Sequence, residues 1–270
     1  MQLNAIAKSS TFRRVMGAAV VALSCAGTLA TTVPANAAST EQVGTTGTWN
    51  KYTLAFEDNF NGTALDTTKW TKYVGAPNGG NGDWDPANVV LGDGTMRLRT
   101  SRTADGRWIS AGVSNAKSVK QQYGKWQIRV RLDKGYGIRN VALLWPTTGW
   151  PPEVDFLETS GRDPLKTKNT LASHYKDAFG VHRVWQQRVY SDYTQWHTIG
   201  VKYEPGLMQF TLDGVVVAKL TENLPKSSMW LGMQTALGSA ALGAAPNETT
   251  PRIVDMQVDW VKIYRYNAAG

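Results

Sequence analysis

Cysteine is almost missing from this chain: of 270 residues only Cys25 carries a thiol, so no intramolecular disulfide can form and no cysteine-rich metal site can be built. Long apolar runs are scarce as well. The one extended run, Val15 to Val33, is too short and too rich in Ala and Gly for a transmembrane helix, and nothing later approaches ~20 consecutive apolar residues. Preceded by Lys8, Arg13 and Arg14 and closed by Ala35-Asn36-Ala37, that run reads as a secretory signal spanning 1–37, with cleavage after Ala37. The general secretory route fits its flanks better than the twin-arginine route that Arg13-Arg14 raises. Cys25 leaves with the signal, and the mature chain is expected to be secreted, extracellular and free of membrane partners.

Clustered positive charge is also lacking. Three of the 29 Lys and Arg residues lie in the signal, leaving 26 against 21 acids and a net charge of +5. The basic residues are scattered, as in Ile128-Arg129-Val130-Arg131-Leu132, which suits solvated strand faces and excludes the basic stripe of a nucleic-acid binder. No internal repeat and no second domain is evident. The residues split into the signal (1–37), a disordered polar leader (38–48) and a single domain (49–266), ample for one disulfide-free core.

What is abundant is alternation. Trp126, Ile128, Val130 and Leu132 share one face opposite Gln127, Arg129 and Arg131, which is strand periodicity. Val254, Met256, Val258 and Trp260 repeat it, so Trp126 and Trp260 are expected in the core. Phe210 to Val217 reads as a hairpin turning on Asp213-Gly214. Many short strands with regular turn signals predict an all-β, antiparallel sandwich or barrel.

The segment Trp150-Pro151-Pro152-Glu153-Val154-Asp155-Phe156-Leu157-Glu158 places three carboxylates within six residues, spaced by apolar side chains. Glu153 and Asp155 share a strand face, whereas strict parity turns Glu158 to the other. One β-bulge restores the parity and brings all three acids onto one face. Two long Glu side chains can then lean together over the shorter Asp, as retaining glycoside hydrolysis requires of carboxyl groups roughly 5 to 5.5 Å apart. Eleven Trp and ten Tyr supply rings of the kind that stack on sugar C–H faces. Trp145 and Trp150, just before the acids, are the foremost candidates. Trp84, Trp108 and Trp185 fit cleft, rim or plain surface equally.

Around the acids lie Phe56-Glu57-Asp58-Asn59-Phe60-Asn61-Gly62 with Leu65-Asp66-Thr67-Thr68-Lys69-Trp70, then Tyr123-Gly124-Lys125-Trp126-Gln127-Ile128-Arg129-Val130, and finally Val258-Asp259-Trp260-Val261-Lys262-Ile263-Tyr264. With these segments in this order, the chain resembles glycoside hydrolase family 16 along most of its mature length. The resemblance implies a concanavalin A-like β-jelly roll. It also implies a laminarinase-like, endo-acting, retaining β-glycosidase whose polysaccharide substrate is foremost β-1,3-glucan. Glu153 would be the nucleophile, Asp155 the assisting carboxylate and Glu158 the general acid/base, with no cofactor. His174 matches a family position on a strand beside the catalytic one, where it would bind substrate by hydrogen-bonding the sugar or would hydrogen-bond the acid/base, and Gln234 falls where the family often has a cleft amide; His197 fits a structural role. A structural calcium is implied at Asp259, with backbone carbonyls near Asn59 and Gly94. A monomer is expected.

One departure stands out. Where many members carry Trp-Pro-Ala-Phe-Trp, this chain has Arg139-Asn140-Val141-Ala142-Leu143-Leu144-Trp145-Pro146, so Arg139 or Leu143 replaces a Trp common in the family's cleft. The reaction survives this change, but the usual substrate need not. Competing readings are a non-catalytic lectin on the same jelly roll, a transglycosylase, and a galactan or agar hydrolase.

Overall fold

A computed structural model describes residues 51–75, 82–238 and 244–268; the predicted signal and leader lie outside the described residues. Among the described residues the chain forms seventeen strands. The first seven are β1 (Tyr52–Asp58), β2 (Thr71–Lys72), β3 (Asp83–Trp84), β4 (Val89–Gly92), β5 (Thr95–Arg102), β6 (Trp108–Ser110) and β7 (Gly112–Ser114). Five more follow: β8 (Gly124–Leu132), β9 (Ile138–Pro146), β10 (Glu153–Glu158), β11 (Lys168–Lys176) and β12 (His182–Tyr190). The last five are β13 (His197–Glu204), β14 (Leu207–Leu212), β15 (Val215–Leu220), β16 (Met229–Leu237) and β17 (Ile253–Tyr266).

They build the expected antiparallel sandwich. One sheet runs β15-β14-β13-β8-β17-β5-β6-β3, with β1 on β17 and β4 on β5; the other runs β12-β11-β10-β9-β16-β7-β2. All pairs are antiparallel except β3 with β6. The alternation that defines each strand also seals the core between the sheets. Trp126, Ile128, Val130 and Leu132 of β8 meet Ala142 and Leu144 of β9, Val154, Phe156 and Leu157 of β10 and Leu231 and Met233 of β16 in one apolar cluster. Each fully buried large side chain contributes about 1.5–3 kcal/mol. The Asp213-Gly214 turn forms as predicted, with both residues at positive φ, 50° and 80°, which the two-residue hairpin needs.

Trp260 corrects the sequence reading. The pairing of β17 with β8 shifts register between Val258 and Trp260, so the inward series Val254, Met256, Val258 continues through Val261 and Ile263, all buried. The bulge at Asp259 turns Trp260 outward, where Lys262 lies 5.3 Å from its ring. Trp126 is fully buried as expected. Of the three undecided tryptophans, Trp108 is buried against Ile138 and Val254, and Trp185 stacks on Phe210 at 5.7 Å.

Candidate active site

Strand β10 is apolar on one side and acidic on the other, and a bulge makes it so. Opposite β9, Asp155 pairs with Leu143 and Leu157 with Ala142, leaving Phe156 as the extra residue. Val154, Phe156 and Leu157 drop into the core, and Glu153, Asp155 and Glu158 face outward together. Register extends this outer face across the sheet. Glu153 pairs with His174 and Asp155 with Ala172 on β11. Glu158 pairs with Val141, Val141 with Gln234, and Trp145 with Trp230. Gln234 thus sits two strands from Glu158 on the same face.

Each acid has a different surrounding. Asp155 is 3% exposed, and its pKa is raised well above the usual range by burial and then by the charge of Glu158, with Arg139 pulling the other way. Glu153 is pushed up to about 8, by burial first and by Asp155 second, against the Trp150 indole and His174. The Nε1–H of Trp150 donates to the Glu153 carboxylate. Two adjacent carboxyls with raised pKa values hold one proton between them. The buried Asp155 is its better holder, because Trp150 favours the charged form of Glu153. Glu158 receives the guanidinium of Arg139, and its backbone N–H donates to Asn169 Oδ1 at 2.8 Å.

Around the acids stand aromatic rings. Trp150 is 42% exposed and lies 4.7 Å from the ring of His182 and 5.9 Å from that of His174. His174 Nε2 approaches Asp155 Oδ2 at 3.4 Å. Trp145 is half-buried and tilts against Trp230 at 6.5 Å. Tyr73 covers Gly112 and Gly232 so closely that a Cβ on either would meet its ring or hydroxyl within 2.8 Å. Trp84 tilts on Tyr73 at 4.9 Å and donates from Nε1 to the Thr235 carbonyl.

The sequence reading missed three of these side chains and one contact. Trp230 was accessible, since it precedes Gln234 by two period-two steps. Tyr73, His182 and the Arg139–Glu158 contact depend on strand order or register and leave no local signal. His197 is structural as expected: its Nδ1 lies 2.7 Å from Asp213 Oδ2, away from the acids.

Of the calcium donors implied at Asp259 and at backbone carbonyls near Asn59 and Gly94, the one carboxylate already has a cationic partner. Asp259 Oδ2 is engaged by the Arg129 guanidinium at 2.9 Å, a cation that opposes a second one. Among the described residues no group of three or more His, Cys, Asp or Glu is placed to hold a metal.

The model of Glycosyl hydrolases family 16 matches residues 48–262. The chain belongs to that family. Similar proteins include the endo-1,3-1,4-beta-glycanase EglC of Rhizobium meliloti strain 1021, 25% identical over 234 residues, covering 83% of this chain and 49% of that protein. The glucan endo-1,3-beta-glucosidase of Cryptopygus antarcticus is 28% identical over 218 residues, covering 72% and 76%. Among solved structures, the laminarinase catalytic domain from Thermotoga maritima MSB8 superimposes with a TM-score of 0.68 at 20% identity, over 81% of this chain and 100% of that one. LamAcat from Zobellia galactanivorans does so at 0.67 and 23%, over 79% and 98%. These structures share the jelly-roll fold of this family member. The chain spans about half the length, or less, of the first curated relatives it matches.

Proposed function

We propose that this family 16 member is a secreted, endo-acting, retaining β-glycosidase whose polysaccharide substrate is β-1,3-glucan. The observation that carries the reading is the bulge at Phe156, which aligns three acids on one open face above a sealed core. Two relatives named as glucan endo-1,3-beta-glucosidases support the substrate, and the signal at 1–37 supports export. The chain works as a monomer, without a cofactor.

In the proposed reaction, Glu153 attacks the anomeric carbon while Glu158 gives its proton to the departing glycosidic oxygen. Asp155 keeps its proton and hydrogen-bonds Glu153, so that the nucleophile remains charged inside a buried site. A covalent glycosyl-enzyme results. Glu158, now a carboxylate held by Arg139, takes a proton from water, which displaces Glu153 with net retention. Trp145, Trp150 and Gln234 hold the sugar chain by stacking and by an amide contact. A reducing-sugar screen over laminarin, lichenan, agarose, porphyran and β-1,3-galactan tests the assignment. Highest turnover is expected on laminarin, and release of no reducing ends from any of the five would overturn it.

A further inference from the structure

His182 stands at the start of β12 with no role in the reaction above, yet it touches both side chains that support the acids. Its Nε2 lies 2.9 Å from Nδ1 of His174, the two rings stack at 5.2 Å and 12°, and its other contact is the indole of Trp150 at 4.7 Å. Beyond His174 comes Asp155; beyond Trp150 comes Glu153. One imidazole therefore closes a ring of contacts around the acids. We propose that His182 is a positioning residue for the carboxylate cluster, coupling the neighbour of Asp155 to the indole that donates to Glu153. The proposal rests on the glycosidase reading of the site.

The reason is proton arithmetic. A short N···N contact needs one proton between the two nitrogens, so the rings cannot choose their tautomers independently. Asp155 gives its one proton to the hydrogen bond with Glu153, so its Oδ2, 3.4 Å from His174 Nε2, is left as an acceptor that faces His174 Nε2–H. His174 Nδ1 is then bare and accepts from His182 Nε2–H, and the same order holds when Asp155 is charged. His182 thus sets which atom of His174 faces Asp155. The charged or titratable groups facing this pair are Asp155 and Glu153 on β10 and, in register with His182, Lys176 on β11. Burial, and then the charge of His174, hold the pKa of His182 below its ordinary value, which favours the neutral ring of His182.

Three substitutions separate the contacts. His182→Phe keeps a ring against Trp150 but removes the hydrogen bond, His182→Gln keeps a donor and an acceptor, and His182→Ala removes both. His182→Phe should lower kcat about tenfold, the effect of losing one ordinary hydrogen bond from the transition state, with KM nearly unchanged. Its pH profile should also shift. His182→Gln should recover most of the turnover and the wild-type profile, and His182→Ala should raise KM as well, because Trp150 loses its support. Nitrogen-15 NMR of the wild-type rings gives a second readout: His174 should show one fixed tautomer that averages in His182→Phe, while His197, held by Asp213, does not change. Wild-type kcat and pH profile in His182→Phe would overturn the proposal, as would a wild-type His174 with freely averaging tautomers. If wild-type protein turns over none of the five polysaccharides, the glycosidase reading fails, and the NMR result still decides the coupling.

Discussion

Arg139 donates from its guanidinium to the carboxylate of Glu158, and the two side chains are only 15% and 25% exposed. Arg139, one of the two residues that could stand in place of the Trp expected from the family resemblance, here steadies an acid. Arg139→Met should lower kcat/KM about tenfold, and Arg139→Lys less, because the ammonium keeps the charge but not the planar fork. A double-mutant cycle checks the route: in a Glu158→Gln background Arg139→Met should add little further loss. Full additivity would mean that Arg139 acts on substrate rather than through Glu158.

Glu153→Gln and Glu158→Gln should each lower kcat by about three orders of magnitude or more while the fold persists, since each removes a group from bond breaking and neither fills the core. Turnover near wild type in either folded variant contradicts the assignment. In Glu158→Ala, azide should restore turnover of an activated substrate by attacking the glycosyl-enzyme, giving a product with the substrate's anomeric configuration.

The two bulges show what sequence can and cannot reveal. The one at Phe156 was legible because parity alone would have split three acids between core and solvent, and charged side chains do not tolerate the core. The bulge at Asp259 was hidden, because Trp260 continues the apolar series of Val254, Met256 and Val258 in composition. An aromatic ring is at home on either side of a strand, so nothing local marked the flip. Strand existence and the Asp213-Gly214 turn are local properties and were readable. Arg139 meeting Glu158 and His182 meeting His174 depend on which strands are neighbours and in what register, and adjacent residues do not encode that.

Trp150→Ala should weaken polymer binding and lower kcat, while Tm falls little, because the ring is largely outside the core. A loss of about 3 to 5 kcal/mol, as for truncating a buried Trp, would mean the ring is structural. Trp145→Ala, half-buried against Trp230, should raise KM more than it lowers kcat, as expected for a stacking surface away from the reacting bond. A change confined to kcat would place it instead at the reacting centre.

Asp259 gives a prediction about metal. With Arg129 on its carboxylate, chelation by EDTA should leave Tm unchanged, and Asp259→Asn should cost about 0–1 kcal/mol, the range of an exposed ion pair. A Tm drop of several degrees on chelation, restored by added calcium, would show that carbonyls near Asn59 and Gly94 gather an ion in spite of the guanidinium.

Glu153 should make the protein less stable in alkali. Its folded pKa is about 8, above the ordinary 4.5, so folding favours the form in which the Glu153–Asp155 pair keeps a proton. Below the unfolded value the group costs nothing, and from about 4.5 up to 8 the folded state must either keep a proton that the unfolded chain has released or bury a charge. Stability is therefore lost progressively across that window. Asp155, also raised, acts in the same direction. His197, raised by Asp213 against its own burial, likewise loses its contribution as pH climbs above 6.5, but equally in any variant that leaves it in place. Glu153→Gln keeps an acceptor for the Trp150 indole and removes the ionisable group. Its Tm should match wild type near pH 4 and exceed it by several degrees at pH 8, since about 1 kcal/mol moves Tm by roughly 2–4 °C in a domain of this size. Thermal melts of both proteins from pH 4 to 9 check this. A Tm difference that stays constant with pH would show that Glu153 ionises at its ordinary value and that the acids do not share a proton.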